Sequence, residues 1–331
     1  MKVLVTGGAG YIGSHMVRVL IQAKHTPIVL DNLSTGHKES VPEAALFFKG
    51  DLKNLKDVEA VFKKYKIDAV MHFAASCLVG ESATEPLKYY ENNVLSCIHL
   101  LNVMRKHKVK FLIFSSTCAV FGEPKRLPIE EDDPKSPTNT YGQSKLIIET
   151  LLKDVASKSD LRFASLRYFN ACGADPDGET GEVHNPEAHL VPNILKTLCG
   201  KAKELTIFGD DYATPDGTCV RDYVHVRDLC QAHLLALDAL KAGMKSNFFN
   251  LGNGDGYSVK DIVKVAERIT GKKVRVKIGP RRPGDPARLV ASARKAGKIL
   301  GWKPKLTLEQ IIQTAWQWET KKAPKWQKRK K

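Results

Sequence analysis

The sequence lacks the features that mark membrane proteins, structural zinc proteins and disulfide-bonded proteins. No uninterrupted apolar segment approaches the roughly 18 residues of a membrane span, and the first residues resemble a β-strand rather than a signal peptide. The seven cysteines are dispersed, with no C-x-x-C pair and no Cys/His spacing typical of zinc sites. We therefore expect reduced thiols, no metal, no membrane contact and a cytoplasmic location.

The sequence also lacks internal repeats and low-complexity segments, and it has few acidic residues relative to basic ones. Its formal net charge is +16, from 52 Lys and Arg against 36 Asp and Glu. Residues 321–331 hold seven basic residues and no acidic one. This basic tail could contact nucleic acid or anionic lipid, but we expect a solvated terminus and no nucleic-acid partner. The remaining positive charge would suit a substrate that carries a diphosphate.

A glycine-rich loop follows the first apolar run. Gly8, Gly10 and Gly13 satisfy G-x-G-x-x-G, and Gly7, Gly10 and Gly13 satisfy G-x-x-G-x-x-G. Such glycines permit a tight turn, close approach of a pyrophosphate and close packing of helix on strand. Asp31 ends the next apolar run, where a carboxylate accepts ribose hydroxyls and disfavours the extra phosphate of NADP. The pattern predicts an NAD site.

Strand and helix signals alternate after this loop, which is typical of a parallel sheet with helices on both faces. The predicted strands are Val3–Val5, Ile28–Leu30, Leu46–Lys49, Ala69–Phe73, Phe111–Ser115 and Phe163–Arg167, and the predicted helices are His15–Gln22, Leu55–Tyr65, Asn93–Arg105 and Ser144–Ala156. After Asn170 a stretch rich in Gly, Pro and Asp covers residues 173–218. A helix at Val224–Leu240, a strand at Phe248–Leu251 and a mixed lobe from about residue 257 to 318 follow.

This order predicts a Rossmann-type, doubly wound α/β fold with a smaller, interleaved C-terminal substrate domain. Residues 1–172 and about 219–252 would form the NAD-binding domain. Residues from about 173 to 218 and 253 to 320 would form the substrate-binding domain, and 321–331 the basic tail.

Tyr141 and Lys145 are spaced i and i+4 on a predicted helix, so they share one face. A phenol has an unperturbed pKa of about 10, and a nearby ammonium favours the phenolate. The phenolate can then accept a hydroxyl proton while hydride leaves the carbon. The pair follows the polar strand end Ser115–Thr117, which places hydroxyl groups at the same cleft.

Many segments, in order along the chain, resemble the extended short-chain dehydrogenase/reductases, and among these the UDP-glucose 4-epimerases. The resemblance covers residues 1 to about 320. The matching segments are VTGGAGYIGSH (5–15), LDNLSTG (30–36), HFAA (72–75), VGES (79–82), YYENNV (89–94), FSST (114–117), YGQSK (141–145), RYFNACGA (167–174), HLVP (189–192), IFGDDYATPDGTCVRDYVHVRDL (207–229), FNLGNG (249–254) and RRPGDPA (281–287).

The resemblance implies an activity and a set of site residues. The implied activity is the NAD-dependent interconversion of UDP-galactose and UDP-glucose, by transient oxidation at C4, rotation of the 4-keto intermediate and return of hydride to the opposite face. At most slower turnover of UDP-N-acetylhexosamines is expected. Tyr141 would be the base, Lys145 would tune it and bind the nicotinamide ribose, and Thr117 would bond the sugar oxygen.

The other implied residues fall into two groups, and relatives also pair the helices around Asn93–Met104 and Leu146–Val155 into a homodimer. The implied NAD-binding residues are Gly7, Gly10, Tyr11, Ile12, Gly13, Asp31, Asn32, Asp51, Leu52, Phe73, Ala74, Ala75, Asn92, Tyr141, Lys145 and Tyr168. The implied substrate-binding residues are Thr117, Tyr141, Asn170, His189, Leu190, Phe208, Arg221, Tyr223, Arg282, Asp285 and Leu289.

The sequence departs from the family pattern at three positions. Cys77 stands where some members carry a Lys that contacts the nicotinamide, and Phe121 replaces a common Tyr, which we interpret as a packing change. Leu289 occupies a position that sets the room beside the sugar C2 group. Tyr there excludes an acetamido group, and a small Cys or Ser admits it. Leu289 is either an intermediate gate or a core residue of a strand.

Other sugar-nucleotide enzymes of this fold differ at the site. The 4,6-dehydratases carry Thr-Asp-Glu where this chain has Thr117-Cys118-Ala119, and UDP-glucuronate decarboxylases tend to carry Glu at the last of these positions. UDP-glucuronate epimerases usually read Y-A-A-T-K where this chain reads YGQSK. A scaffold that senses nucleotides without turnover would typically lose the Tyr or the Lys. UDP-pentose epimerases remain an open alternative.

Overall fold

A computed structural model of the chain describes residues 1–282 and 285–322. Most of the predicted basic tail, from residue 323 on, lies outside the described residues. The strands are β1 (Lys2–Thr6), β2 (Thr26–Asp31), β3 (Leu46–Lys49), β4 (Ala69–His72), β5 (Phe111–Thr117), β6 (Arg162–Tyr168), β7 (Asn170–Cys172), β8 (Leu205–Phe208), β9 (Val220–Arg221), β10 (Tyr223–His225), β11 (Asn247–Leu251), β12 (Tyr257–Ser258), β13 (Val276–Gly279) and β14 (Arg288–Leu289).

Helices lie between most of these strands. They are α1 (Tyr11–Gln22), α2 (Leu55–Lys64), α3 (Val79–Thr84), α4 (Pro86–Tyr89), α5 (Ser96–Lys106), α6 (Thr140–Ser157), α7 (Leu190–Leu198), α8 (Val226–Lys241), α9 (Val259–Thr270), α10 (Arg294–Leu300) and α11 (Leu308–Gln317). Short 3-10 turns cover Lys38–Ser40 and Cys118–Val120, and π-helical turns cover Tyr90–Leu95 and Trp318–Lys322.

The main sheet has seven parallel strands in the order β11-β6-β5-β4-β1-β2-β3. Strand order reverses between β1 and β4, and doubly wound sheets bind their ligands at the carboxyl ends of the strands at such a point. Alternate residues of each strand point to opposite faces of the sheet, and helices cover both faces. Val3 and Val5 pack with α1 and α8 on one face, whereas Leu4 packs with α2, α5 and α6 on the other. The predicted Rossmann-type fold is confirmed.

Several element boundaries differ from the predictions. Helix α1 begins four residues before the predicted start, inside the glycine loop, because glycine there allows the helix to start beneath the loop. The predicted start of α5 falls in the π-helical turn at Tyr90–Leu95. The predicted start of α8 falls in β10, which pairs with β7. The stretch 173–218 contains α7, β8 and part of the smaller sheets, which its Gly and Pro content concealed.

A separate apolar cluster is built by α7, α9, α11 and β8. Its members include Ile194 of α7, Ile262 of α9 and Ile311 of α11, all fully buried. This second core supports the proposed division into NAD-binding and substrate-binding domains, which stays a prediction. In the described part of the chain, no helix combines the length and hydrophobicity needed to cross a bilayer.

Candidate active site

The glycine loop fits a nucleotide with a pyrophosphate. Gly7 has φ +71°, and a Cβ there would lie 2.6 Å from the amide nitrogen of Ala74. A Cβ on Gly13 would lie 2.1 Å from the carbonyl oxygen of Gly7. Glycine at both positions therefore lets α1 start directly beneath the loop. The N-terminal cap residue of α1 is Gly10, which has no side chain to bond the first amides of the helix, so these amides are oriented for an anion.

Asp31 lies beside this loop at the end of β2. Its carboxylate accepts hydrogen bonds from the amides of Ala9 at 2.9 Å and Leu33 at 2.8 Å. Burial raises the pKa of Asp31, and these amides act against that rise. A carboxylate has about four acceptor sites, so it retains capacity for ribose hydroxyls. Asn32 donates to Asp51 at 3.1 Å, which joins the ends of β2 and β3 where an adenosine would lie.

Three predicted catalytic residues lie together at the end of β5 and the start of α6. Asn139 caps α6 by accepting from the amide of Gly142 at 2.8 Å, and this sets the helix start just before Tyr141. Lys145, one turn on, donates from Nζ to the carbonyl oxygen of Ser115 at 2.9 Å. Its Nζ lies 5.9 Å from the centre of the Tyr141 ring. The Thr117 side chain is close enough to act on the Tyr141 phenol, since hydrogen bonding by it lowers the pKa of Tyr141.

The electrostatics of this group depart from the expectation that Lys145 would lower the pKa of Tyr141. Burial raises the pKa of Tyr141 well above its usual value, and the bond from Thr117 only partly opposes that rise. Burial also lowers the pKa of Lys145 to about 8. Desolvation of the phenolate is therefore the largest influence on the pKa of Tyr141 in the protein alone. A positively charged group bound beside Tyr141 would favour the phenolate.

The remaining predicted NAD-binding residues flank the same edge. The amides of Phe73 and Ala74 donate to Thr6 at 3.0 and 3.1 Å, which holds the small residues after β4 against the glycine loop. Asn92 donates to the Ser76 hydroxyl at 3.1 Å. Ala75 directly follows Ala74. Leu52 is buried in the apolar core on one face of the sheet, and Ile12 is partly buried against the core on the other face.

Two predicted NAD-binding tyrosines have protein partners for their hydroxyl groups. Tyr11 donates to the Gly173 carbonyl at 2.6 Å, so its side chain ties α1 to the segment after β7. Tyr168 and Ser115 are hydrogen-bonded through their hydroxyls. The side chain of Tyr11 is thus a structural tie, and its amide at the helix start is the group suited to a phosphate.

Four of the predicted substrate-binding residues contact one another in two pairs. Arg221 and Asp285 form a hydrogen-bonded ion pair. The Arg282 guanidinium lies 4.1 Å from the centre of the half-exposed Phe208 ring. Asn170 donates to the Asp222 carbonyl at 3.0 Å.

Two further substrate positions are more enclosed. Tyr223 is buried in the apolar cluster that contains α7. Leu289 pairs with Arg221 through β14 and β9, and it packs against an apolar group that includes Phe121. Leu289 can therefore be a core residue, because it packs against this apolar group, or a gate beside the sugar, because it is paired with the predicted substrate-binding residue Arg221.

The segment that leads into α7 brings together residues that the sequence analysis did not connect. His189 is the N-terminal cap residue of α7, directly before Leu190. Glu182 and Glu187 face both His184 and His189. The signal is the spacing E-x-H-x-x-E-x-H over residues 182–189, which differs from H-E-x-x-H. The two glutamates were missed for that reason.

The fold and the site define an enzyme that binds a nicotinamide dinucleotide and has a Tyr/Lys pair at the end of a Rossmann sheet. Residues 3–252 match the model of the NAD dependent epimerase/dehydratase family. The chain belongs to that family, and its cofactor is NAD.

Individual relatives are similar over nearly the whole chain. The UDP-glucose 4-epimerase of Lacticaseibacillus casei is 50% identical over 96% of each chain. The structure of UDP-glucose 4-epimerase from Bifidobacterium longum in complex with NAD+ and UDP is 41% identical, with a TM-score of 0.92 over 98% of this chain and 99% of that one. The UDP-Glc/GlcNAc 4-epimerase from Campylobacter jejuni is 43% identical, with a TM-score of 0.84 over 96% and 98%. The chain is therefore an enzyme, an isomerase of the UDP-glucose 4-epimerase group.

Proposed function

We propose that this enzyme interconverts UDP-galactose and UDP-glucose by transient oxidation at C4 of the sugar. The hydroxyl at C4 loses its proton and the carbon its hydride, the resulting 4-keto sugar rotates, and hydride returns to the opposite face. Such an activity would serve galactose metabolism, and a cytoplasmic location stays a prediction of the sequence.

One observation carries this proposal. Thr117, Tyr141 and Lys145 meet at the carboxyl edge of the sheet, next to the switch point between β1 and β4. Tyr141 is the proposed proton acceptor, and hydrogen bonding by the Thr117 side chain acts to lower its pKa. A polar pair of this kind at a strand edge suits a sugar hydroxyl that bonds to both groups.

The chain's own residues hold NAD and position the sugar. The amides at the start of α1 would hold the pyrophosphate, and Asp31 the adenosine ribose. When bound, NAD+ supplies the hydride acceptor and a positive charge that favours the Tyr141 phenolate. Lys145 donates to Ser115 with one of its three protons, so two remain for the nicotinamide ribose. Thr117 would donate to the sugar oxygen and guide it toward Tyr141.

The UDP group would lie along the wall of Arg221, Asp285, Arg282 and Phe208. An arginine fork suits the diphosphate, and the carboxylate of Asp285 suits the ribose hydroxyls. The exposed Phe208 ring offers a face on which a base can stack. Asn170, His189 and Tyr223 would complete the substrate contacts.

The range of sugars would depend on the space beside Leu289. This side chain is smaller than Tyr and larger than Cys, so we propose slower turnover of UDP-N-acetylhexosamines than of UDP-hexoses. The similarity to a UDP-Glc/GlcNAc 4-epimerase favours some activity on the N-acetylated pair. UDP-pentoses are a second class of substrate to test.

We also propose a homodimer. Leu95 directly precedes α5, and Ile98 lies in its first turn. Both are large apolar residues, yet they are 39% and 37% exposed. Helix α6 carries a second apolar strip, formed by Leu146, Ile147 and Leu151 along an open groove. Two such helices from each chain would bury these side chains in a four-helix interface.

The experiment is a conversion assay on purified enzyme. With UDP-galactose and NAD+, chromatography should detect UDP-glucose until both sugars reach equilibrium, with no NADH in proportion to product. UDP-glucuronate in a parallel reaction should stay unchanged. The proposal is wrong if UDP-galactose is not converted, or if NADH accumulates mole for mole with product.

A further inference from the structure

Four ligating side chains converge outside the proposed catalytic group. Glu182, His184, Glu187 and His189, here called the His–Glu cluster, each offer one atom, and these atoms all lie within 4.8 Å of one another. The carboxylates are almost fully enclosed, with side-chain exposures of 6% for Glu182 and 3% for Glu187. We propose that the His–Glu cluster binds a divalent transition-metal ion, with Zn²⁺ as the probe that fits it.

The distances in the cluster match a four-coordinate site. His184 Nδ1 lies 3.1 Å from Glu182 Oε1 and 3.8 Å from Glu187 Oε1. His189 Nδ1 lies 2.7 and 3.1 Å from the same two oxygens. A tetrahedron with metal–ligand bonds of about 2.0–2.1 Å has edges of about 3.4 Å. The four atoms therefore need to move little to enclose one ion.

The orientation of the atoms points the same way. Glu182 Oε1 and His184 Nδ1 are buried and 3.1 Å apart, which is an ion-pair distance, but the contact lacks the geometry of a directed hydrogen bond. Glu187 Oε2 is a third buried atom without such a hydrogen bond to any described residue. Buried ligand atoms that are held together by charge in this way keep lone pairs that a metal ion can share. Only His189 and Glu187 have the geometry of a direct hydrogen bond, at 3.1 Å.

The charge and ligand types favour a divalent ion of intermediate softness. Two carboxylates balance a charge of +2, and imidazole nitrogens favour zinc and related metals over magnesium or calcium. The imidazole nitrogens must be unprotonated to bind an ion, so metal binding here would be coupled to proton release.

The location indicates a structural ion. The cluster lies between the end of β7 and the start of α7, and His189 occupies the N-cap position of that helix. The ring of His184 lies 6.3 Å from that of Tyr11, edge to face, at the first residue of α1. An ion here would fix residues 182–189 against the NAD loop. This proposal departs from the sequence-based expectation of no metal, which stays untested.

The test measures zinc binding directly. Full-length enzyme, freed of metal with a chelator, is titrated with Zn²⁺ by calorimetry, and bound zinc is counted by elemental analysis. We expect one Zn²⁺ per chain and at least a tenfold loss of affinity in His184→Gln, because first-contact ligands matter at least as much as the outer partners that cost 10–100-fold. His99→Gln is the matched control, since His99 is also partly buried and bonds only to the Leu52 carbonyl in the described structure.

Two further measurements distinguish this site from a thiolate site and from a loss of binding caused by misfolding. Glu187→Gln should weaken binding as His184→Gln does, and circular dichroism of both variants establishes that they fold. Co²⁺ in place of Zn²⁺ should give the absorption of a four-coordinate site without a thiolate charge-transfer band, and Cys77→Ser should bind as wild type does. Absence of stoichiometric Zn²⁺ binding, unchanged affinity in both folded cluster variants, or a thiolate band with Co²⁺ would each overturn the proposal.

Discussion

Replacement of Tyr141 by Phe removes the proposed proton acceptor and leaves the ring in place. The substitution removes at most the hydrogen bonding between the Tyr141 hydroxyl and the Thr117 side chain, so the free energy of unfolding should change by about 1 kcal/mol. General acid–base groups contribute about 10²–10⁴-fold to rate, which corresponds to about 2.7–5.5 kcal/mol of activation free energy. We expect kcat to fall by that factor while NAD stays bound.

The assay follows UDP-glucose formed from UDP-galactose by chromatography, with bound NAD measured on the same preparation. Tyr89→Phe is the matched control, because Tyr89 is a buried tyrosine whose hydroxyl bonds to the Leu78 carbonyl at 2.6 Å and to Glu81 at 3.0 Å rather than to any of the three predicted catalytic residues. This variant should keep most of its activity. If Tyr141→Phe retains more than about half of the wild-type rate, Tyr141 is not the base.

Three other predictions follow from the site, the surface and the buried histidines. Leu289→Tyr should lower kcat/KM for UDP-N-acetylgalactosamine relative to UDP-galactose, and an unchanged ratio would mean that Leu289 is only a core residue. Light scattering should give the mass of two 36.7 kDa chains for the wild type and of one chain for Ile98→Glu; a wild-type monomer would contradict the dimer. Burial lowers the pKa of His72 and His225 to about 3 and that of His15 and His233 to about 4. At these four positions the unfolded chain binds protons first, so each lowers the free energy of unfolding by about 1.4 kcal/mol between pH 7.5 and 5.5. His184 and His189 have raised pKa values and act in the opposite direction by a similar amount each, so the net fall should be about 3 kcal/mol; equal urea stabilities at the two pH values would contradict this.

The nucleotide half of the molecule was predictable because its chemistry restricts the residue type at each position. Only glycine fits at Gly7 and Gly13, where a side chain would meet the backbone. The alternation of apolar strands and amphipathic helices likewise identified the sheet, since its inner strands are buried on both faces. These constraints act over a few residues and are visible in the sequence alone.

The rest depends on contacts between distant segments. Helix α7 and strand β8 were hidden in a stretch rich in Gly and Pro, and their apolar faces are covered by α9 and α11, which follow much later in the chain. The raised pKa of Tyr141 has the same kind of cause. Burial is its largest cause, and no spacing in the sequence reports burial.

The central claim is that hydride leaves and returns to the same carbon of the sugar. UDP-galactose that carries deuterium at C4 tests it most directly, with the product UDP-glucose analysed by mass spectrometry and NMR. We predict that the deuterium stays at C4 of UDP-glucose, without exchange with water. Loss of the label to solvent, or its appearance at another carbon, would contradict the account.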